Sequence, residues 1–204
     1  MGDAIENIYG EEYFQYLKNR GLIRKLVRKI YLNDIRKYCI GKTIDFGCGV
    51  GELLKILPAG SVGFEVNRIA IEYCRSAGLQ VEYYDPVADD YQLSMIQPGM
   101  FSTFTMNHVL EHLDDSQQII KKIFASCHRL GIKRIVFTVP GTKGFKLDKT
   151  HQTFIDKNYL QTNGILDNKL YSMKVCKYFP VNWSAFSRYF THNELRLVWE
   201  KAYD

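Results

Sequence analysis

The stretch Thr43-Ile-Asp-Phe-Gly-Cys-Gly-Val-Gly-Glu-Leu-Leu54 decides how the rest of the chain is read. A short strand, Thr43–Phe46, runs straight into glycines at 47, 49 and 51. Glycine is required where a backbone turns sharply or a ligand approaches so closely that a Cβ would collide. The following Gly51–Ile56 reads as a helix whose free N–H groups and positive dipole end point at the loop. That arrangement implies a nucleotide-like cofactor site at the carboxyl edge of a parallel sheet.

The spacing refines the ligand. A dinucleotide pyrophosphate loop usually reads G-x-G-x-x-G, whereas this one reads G-x-G-x-G with Asp45 two residues before its first glycine. A carboxylate beside the cradle repels a pyrophosphate and suits a ligand with an ammonium group. Twenty residues after Asp45 comes Glu65, at the end of the run SVGFEVN. An acid there can accept hydrogen bonds from both hydroxyls of a ribose.

Outward from this loop, strand-like runs at Thr43–Phe46, Val62–Val66, Gln80–Tyr84, Phe101–Met106 and Arg134–Val139 alternate with helical segments at Arg68–Ser76 and Ser116–Arg129. That alternation predicts an α/β chain with a doubly wound, mostly parallel sheet. Residues 11–39 read as N-terminal helices, with an apolar stripe at Leu22, Ile23, Leu26, Val27, Ile30 and Tyr31 beside a basic face at Arg24, Lys25, Arg28 and Lys29. Past Val139, a helix is expected within His151–Thr162 and a strand over Lys169–Tyr178. Glu194–Lys201 is open between a helix capped by Thr191 with Glu194 and a closing edge strand, and the strand is preferred.

Length and composition set limits. The 204 residues are 46% hydrophobic and 24% charged, which suits one folded domain and excludes a disordered or low-complexity chain. The expected division is a helical cover over 1–40 and a cofactor-binding core over 41–204. No apolar run approaches the ~20 residues of a membrane span, and the opening MGDAIENIYGEEYF carries acids where a secretory signal would be basic. Five scattered cysteines without a CxxC pair predict neither a disulfide framework nor a zinc knuckle, and point to a cytoplasmic location. A net charge of +5 permits an anionic partner without requiring one.

Three motifs in order, D-F-G-C-G-V-G at 45–51, F-E-V-N at 64–67 and F-T-M-N-H-V-L-E-H-L at 104–113, resemble the class I S-adenosylmethionine-dependent methyltransferases. The resemblance covers roughly residues 40–140 well and the tail loosely. It implies a Rossmann-like, seven-stranded methyltransferase fold that uses S-adenosyl-L-methionine. It further implies that Asp45, Gly47, Cys48 and Gly49 line the methionine part of the cofactor, Gly51 allows close packing, and Glu65 and Val66 adjoin the ribose. Asp85 would contact the adenine amine, with a plain turn before Pro86 as the alternative; Met106 and Asn107 would lie near the methyl group.

Methyl transfer needs alignment more than a covalent nucleophile, and a base only when the acceptor keeps its proton until late. His151 is the preferred base for an oxygen acceptor, with Asp148 orienting it and His108 as a further candidate. Four-residue spacing puts His108 and His112 on one face if the segment is helical, with Glu111 between them. His108, Glu111, His112 and His151 are imperfectly similar to the metal set of small-RNA 2′-O-methyltransferases. That set begins with Glu where this chain has His108, and no metal is assigned. The segment D-K-T-H-Q-T-F at 148–154 is also similar to bacterial methyltransferases acting on surface glycans and other small acceptors. The expected function is therefore O-methylation of a small hydroxyl-bearing acceptor such as a sugar or glycan-related metabolite. RNA methylation, supported by the basic 24–29 face and the His/Glu cluster, and a non-catalytic scaffold of the same fold are the alternatives. Tyr9, Tyr13, Phe14 and Tyr16 are read as lid or packing residues, and Tyr178, Phe179 and Trp183 as neighbours of the acceptor.

Overall fold

A computed structural model describes residues 22–166 and 168–202, with the side chains of 22–26 excluded. The aromatic residues at 9–16 lie outside the described residues, as do the side chains of Arg24 and Lys25. Among the described residues five α-helices and seven strands follow in the order α1 (Leu22–Arg36), β1 (Thr43–Phe46), β2 (Val62–Glu65), α2 (Arg68–Ser76), β3 (Val81–Tyr83), β4 (Thr103–Asn107), α3 (Ser116–Arg129), β5 (Arg134–Val139), α4 (Thr142–Leu147), α5 (Lys157–Thr162), β6 (Tyr171–Phe179) and β7 (Glu194–Lys201).

The strands form one sheet ordered β3-β2-β1-β4-β5-β7-β6. Strands β1 to β5 pair in parallel, and β7 lies antiparallel between β5 and β6. The parallel ends therefore deliver the segments after β1, β2, β3, β4 and β5 to one edge. Glu194–Lys201 is a strand, as preferred above, but an interior one.

Strand alternation separates two apolar layers. Phe46, Phe64, Phe104, Phe137 and Trp199 belong to one, with Ile120 and Phe124 of α3. Val136 and Val198 belong to the other, with Leu32 and Ile35 of α1 and Ile71 and Cys74 of α2. Local signals fix the helix starts: Asn67 accepts from Ala70 N at 3.0 Å, Asp115 from Gln118 N at 3.2 Å and Asp156 from Tyr159 N at 2.8 Å.

One expected helix does not form. Gly51–Ile56 is a run of turns ending in a 3₁₀ turn at Leu54–Ile56. Lys55 N reaches Gly51 O at 3.1 Å, but Ile56 and Leu57 bond three residues back. Six residues between Gly51 and Pro58 are too few to offset helix nucleation, so the loop is not faced by an α-helix N-terminus.

Trp199 is fully buried, with ring centroids 5.2 Å from Phe124 and 5.4 Å from Phe137, and its indole N–H donates to Ile165 O at 3.3 Å. Trp199→Ala should cost about 3–5 kcal/mol of unfolding free energy, read as a lower denaturant midpoint with the slope unchanged.

Candidate functional site

The loop after β1 is held in conformations open to glycine. Gly47, Gly49 and Gly51 have φ of 69°, 54° and 71°. A Cβ on Gly47 would fall 2.5 Å from Val109 Cγ2, and one on Gly51 2.5 Å from Leu79 Cδ1. Between them Cys48 is half-buried with a free thiol, and Cys74 of α2 donates to Gly49 O at 3.4 Å.

Glu65 closes this loop. One carboxylate oxygen accepts from Gly49 N at 2.8 Å, and the other from Val66 N at 2.8 Å and Asn67 N at 3.0 Å. Burial raises its pKa, against the lowering by those three N–H groups. Asp45 is buried beneath the loop. Burial pushes its pKa up to about 7, with Glu65 adding to the rise; the Arg28 charge and the Asn107 amide pull the other way.

Arg28 is a residue the sequence reading assigned only to a basic face. Its Nε donates to Glu52 at 3.3 Å, and its charge acts on both Asp45 and Glu194. The α1 helix thus brings a guanidinium to the glycine loop, and Arg28 is not available to a continuous solvent-facing strip. Asp85 is half-buried after β3, where one oxygen accepts from Val87 N and Ala88 N at 3.0 Å each. It forms a turn before Pro86 while remaining at the carboxyl edge. Met106 is fully buried in the core, and Asn107 lies between Thr105 and Thr138, accepting from Thr138 Oγ1 at 2.6 Å.

Beyond β4 the chain turns through His108, whose φ of 55° lies in the left-handed region. The segment is a short 3₁₀ turn, Leu110–His112, rather than an α-helix. His108 Nδ1 meets Glu111 Oε1 at 3.2 Å and its Nε2 meets Glu194 Oε1 at 3.1 Å. Burial alone would lower the imidazole pKa, but the two carboxylates outweigh it and raise it to about 9. Its reciprocal partner Glu194 is depressed to about 2 by the His108 and Arg196 charges, despite burial. Arg196, also buried, reaches Asp34 of α1 at 3.4 Å and donates to Thr138. Glu194 and Arg196 were read only as strand residues. Their two-residue spacing puts them on one face of β7, a signal that gains meaning once β7 is interior.

The distant His151 does join this cluster. Glu111 O accepts from Gln152 N at 2.7 Å and from Thr153 N at 3.1 Å, anchoring the loop after α4 to the turn after β4. His151 stacks on Phe145 with centroids 5.3 Å apart, and its Nδ1 lies 2.9 Å from Phe145 O. That carbonyl can only accept, so Nδ1 carries the proton and Nε2 presents its lone pair when the ring is neutral. Nε2 is 3.8 Å from Asp148 and 4.0 Å from Glu111. Orientation of the ring comes from Phe145, not from Asp148, whose Oδ1 is taken up by Thr150.

Glu111, His112 and His151 each bring one potential ligand atom within 4.8 Å of the others. Glu111 is fully buried and its Oε2 has no hydrogen-bond partner. These three could hold a divalent cation. His108 is not in that set, because both its nitrogens face carboxylates.

Comparison with known proteins bears on the family and the fold. The profile of the family described as "Methyltransferase domain" matches residues 15–202. A ubiquinone biosynthesis O-methyltransferase of Methylococcus capsulatus is 34% identical over 96 residues, which are 44% of this chain and 38% of that protein. The match thus spans well under two thirds of that relative's length. The fold is similar to a SAM dependent methyltransferase from Archaeoglobus fulgidus, with a TM-score of 0.64, 21% identity, and coverage of 94% of this chain and 100% of that one. It is also similar to the magnesium protoporphyrin IX methyltransferase of Synechocystis with bound SAH, with a TM-score of 0.64, 12% identity, and coverage of 99% and 100%.

The His108–Glu194 pair has a defined pH window. His108 has a folded pKa of about 9 against its usual 6.5, so its contribution is complete below about pH 6.5 and is lost as pH rises through 9. Glu194 is depressed from 4.5 to about 2, so its contribution is present above 4.5 and is lost as pH falls through 2. Glu194→Gln should lower the His108 titration midpoint, followed by NMR of the ring protons, and flatten the decline in stability between pH 6.5 and 9.

Proposed function

The chain belongs to the methyltransferase-domain family, and from that premise we propose that it transfers a methyl group from S-adenosyl-L-methionine to the oxygen of a small hydroxyl-bearing acceptor. The observation that carries this reading is Asp45: a buried carboxyl under a loop whose three glycines all take positive φ, two of them packed where a Cβ would collide with Val109 or Leu79. A buried acid of this kind is stabilised in its charged form by a nearby cation, and the donor has an ammonium and a sulfonium.

Asp45 and the 47–51 loop would hold the aminoacyl part, Glu65 and Val66 the ribose, and Asp85 the adenine, while Asn107 borders the reacting end; Met106, expected beside it, is fully buried in the core and can only support that end from within. When bound, S-adenosyl-L-methionine supplies a methyl group already activated on sulfur. The protein's share is placement and proton handling. The parallel strand ends bring Asp45, Glu65, Asn107 and the 148–151 loop to one edge, where the glycine backbone can approach a ligand without reorganising. His151 Nε2 accepts the acceptor's hydroxyl proton, and the Phe145 carbonyl keeps Nδ1 protonated and then stabilises the resulting imidazolium. His108, held as a cation by two carboxylates, is a poor base below pH 9; its role is to fix Glu111 and balance the acids around it.

O-methylation is supported by the name of the Methylococcus relative, which acts in ubiquinone biosynthesis. The narrower choice of a sugar rests on the 148–154 segment alone. Five free cysteines suit a reducing compartment, and we place the protein in the cytoplasm. Among the described residues no helix is long and apolar enough to cross a membrane.

A second reading has one observation in its favour. The buried, unpartnered Oε2 of Glu111 beside His112 and His151 suits a divalent cation that would fix an acceptor's oxygens.

Calorimetry should show binding of both S-adenosylmethionine and S-adenosylhomocysteine; failure to bind either would leave a scaffold. Asp45→Asn should weaken donor binding by roughly 10- to 1000-fold. His151→Ala should lower kcat by about 10²- to 10⁴-fold while donor affinity stays intact, and near-normal turnover would remove His151 from the chemistry. Dialysis against a chelator should leave turnover unchanged if His151 acts as the base. Loss of turnover restored by Mg²⁺ or Mn²⁺ would favour the cation reading instead.

A further inference from the structure

The exposed side chains of α4 and of the 3₁₀ turn Ser184–Arg188 lie beside the acceptor edge and, unlike Phe145 of the same helix, have no role in the chemistry above. We propose that they form a docking surface for an anionic lipid bilayer, which seats the His151 side of the site against the membrane surface.

The two segments form one surface. Lys143 Nζ donates to Tyr189 O at 2.9 Å, and Thr142 N donates to Ser187 Oγ at 3.3 Å. A Cβ on Gly144 would fall 2.7 Å from Thr191 O, so α4 sits tightly against the strand-connecting loop. Four-residue spacing places Lys143 and Leu147 on one helix face. Trp183 and Tyr189 flank the 3₁₀ turn at its two ends.

Large apolar side chains project from this surface: Leu147 is 64% exposed, Trp183 62% and Tyr189 75%. Around them Lys143, Lys146, Lys149 and Arg188 are exposed. Across residues 141–151 and 180–192 the one carboxylate is Asp148. Four cations against one anion thus concentrate much of the chain's net charge of +5 here. Trp and Tyr favour the boundary between headgroups and acyl chains, and basic residues add attraction to anionic lipid. The lysine stems can lie along the apolar surface while their ammonium groups reach phosphates.

Single-stranded nucleic acid also takes aromatic and basic surfaces. Leu147 decides against it: an exposed aliphatic chain offers no π face for a base, yet gains by entering the acyl boundary. Binding by this face is peripheral, since it lies in a six-residue helix and a turn rather than a spanning segment.

The experiment uses the full chain with vesicles of phosphatidylcholine alone or with about one third phosphatidylglycerol, read by flotation and tryptophan emission. Of the chain's two tryptophans Trp199 is fully buried, so an emission shift reports Trp183. Flotation with the anionic vesicles, a blue shift, and weakening by salt are expected. Each lysine neutralised should weaken binding about fivefold, so Lys143→Gln with Lys146→Gln should lose about 25-fold. Leu147→Ser should also weaken flotation while leaving S-adenosylmethionine affinity unchanged. No flotation, equal flotation with both vesicle types, or undiminished binding by these variants would overturn the proposal. So would an emission shift with polyuridylate and none with vesicles, which would assign the face to nucleic acid. None of these readouts requires methyl transfer, so they stand or fall apart from the enzymatic reading.

Discussion

Four carboxylates, Asp45, Glu65, Glu111 and Glu194, crowd the carboxyl edge of the sheet, and each must find compensation there. A buried carboxylate without a donor is costly enough to change its protonation or the fold around it. Each acid meets that constraint differently. Glu65 uses three backbone N–H groups and so ties the glycine loop to the end of β2. Glu194 uses the His108 imidazolium and the Arg196 guanidinium. Glu111 shares His108 and keeps one oxygen open. Asp45 has the Arg28 field and the Asn107 amide, and its pKa still rises to about 7. Much of the local architecture follows: the left-handed turn at His108, the guanidinium brought by α1, and the charged residues inside β7.

What could be seen in the sequence was local. The strand runs at 43–46 and 134–139 and the helices at 68–76 and 116–129 have the bounds read for them, because each is set by a short apolar period and a capping or turn residue. The glycine loop announced itself by residue type alone. The helix expected after that loop failed for a reason also present in the sequence, the short distance to Pro58, which a reading by loop type passes over.

The rest depended on chain segments far apart in sequence. His151 reaches the site because Glu111 O holds Gln152 N and Thr153 N, contacts between backbone groups that no residue type advertises. Arg28 looked like one of four solvated bases, and only the crossing of α1 over the loop turns it toward Glu52 and Asp45. Glu194 and Arg196 were read only as residues of a closing edge strand. Placing β7 between β5 and β6 buries them, and the Arg196–Asp34 contact then joins the helical cover to the carboxyl edge of the sheet.

In the proposed binding mode Asp45 also sets the sign of charge the cradle accepts. Two unit charges ~4 Å apart at an effective dielectric of ~20 interact by about 4 kcal/mol. An ionised Asp45 therefore separates a cationic from an anionic occupant by about twice that, a far larger effect than loop shape gives. The raised pKa adds a qualification: near neutral pH a sizeable fraction of the empty protein carries a protonated Asp45, which attracts neither. A cation entering the cradle favours the ionised carboxyl, so binding is linked to proton release, and part of the electrostatic gain is spent on ionising the acid. Discrimination against anions survives, since an anion can be accepted only with the proton retained and gains no opposite charge in return.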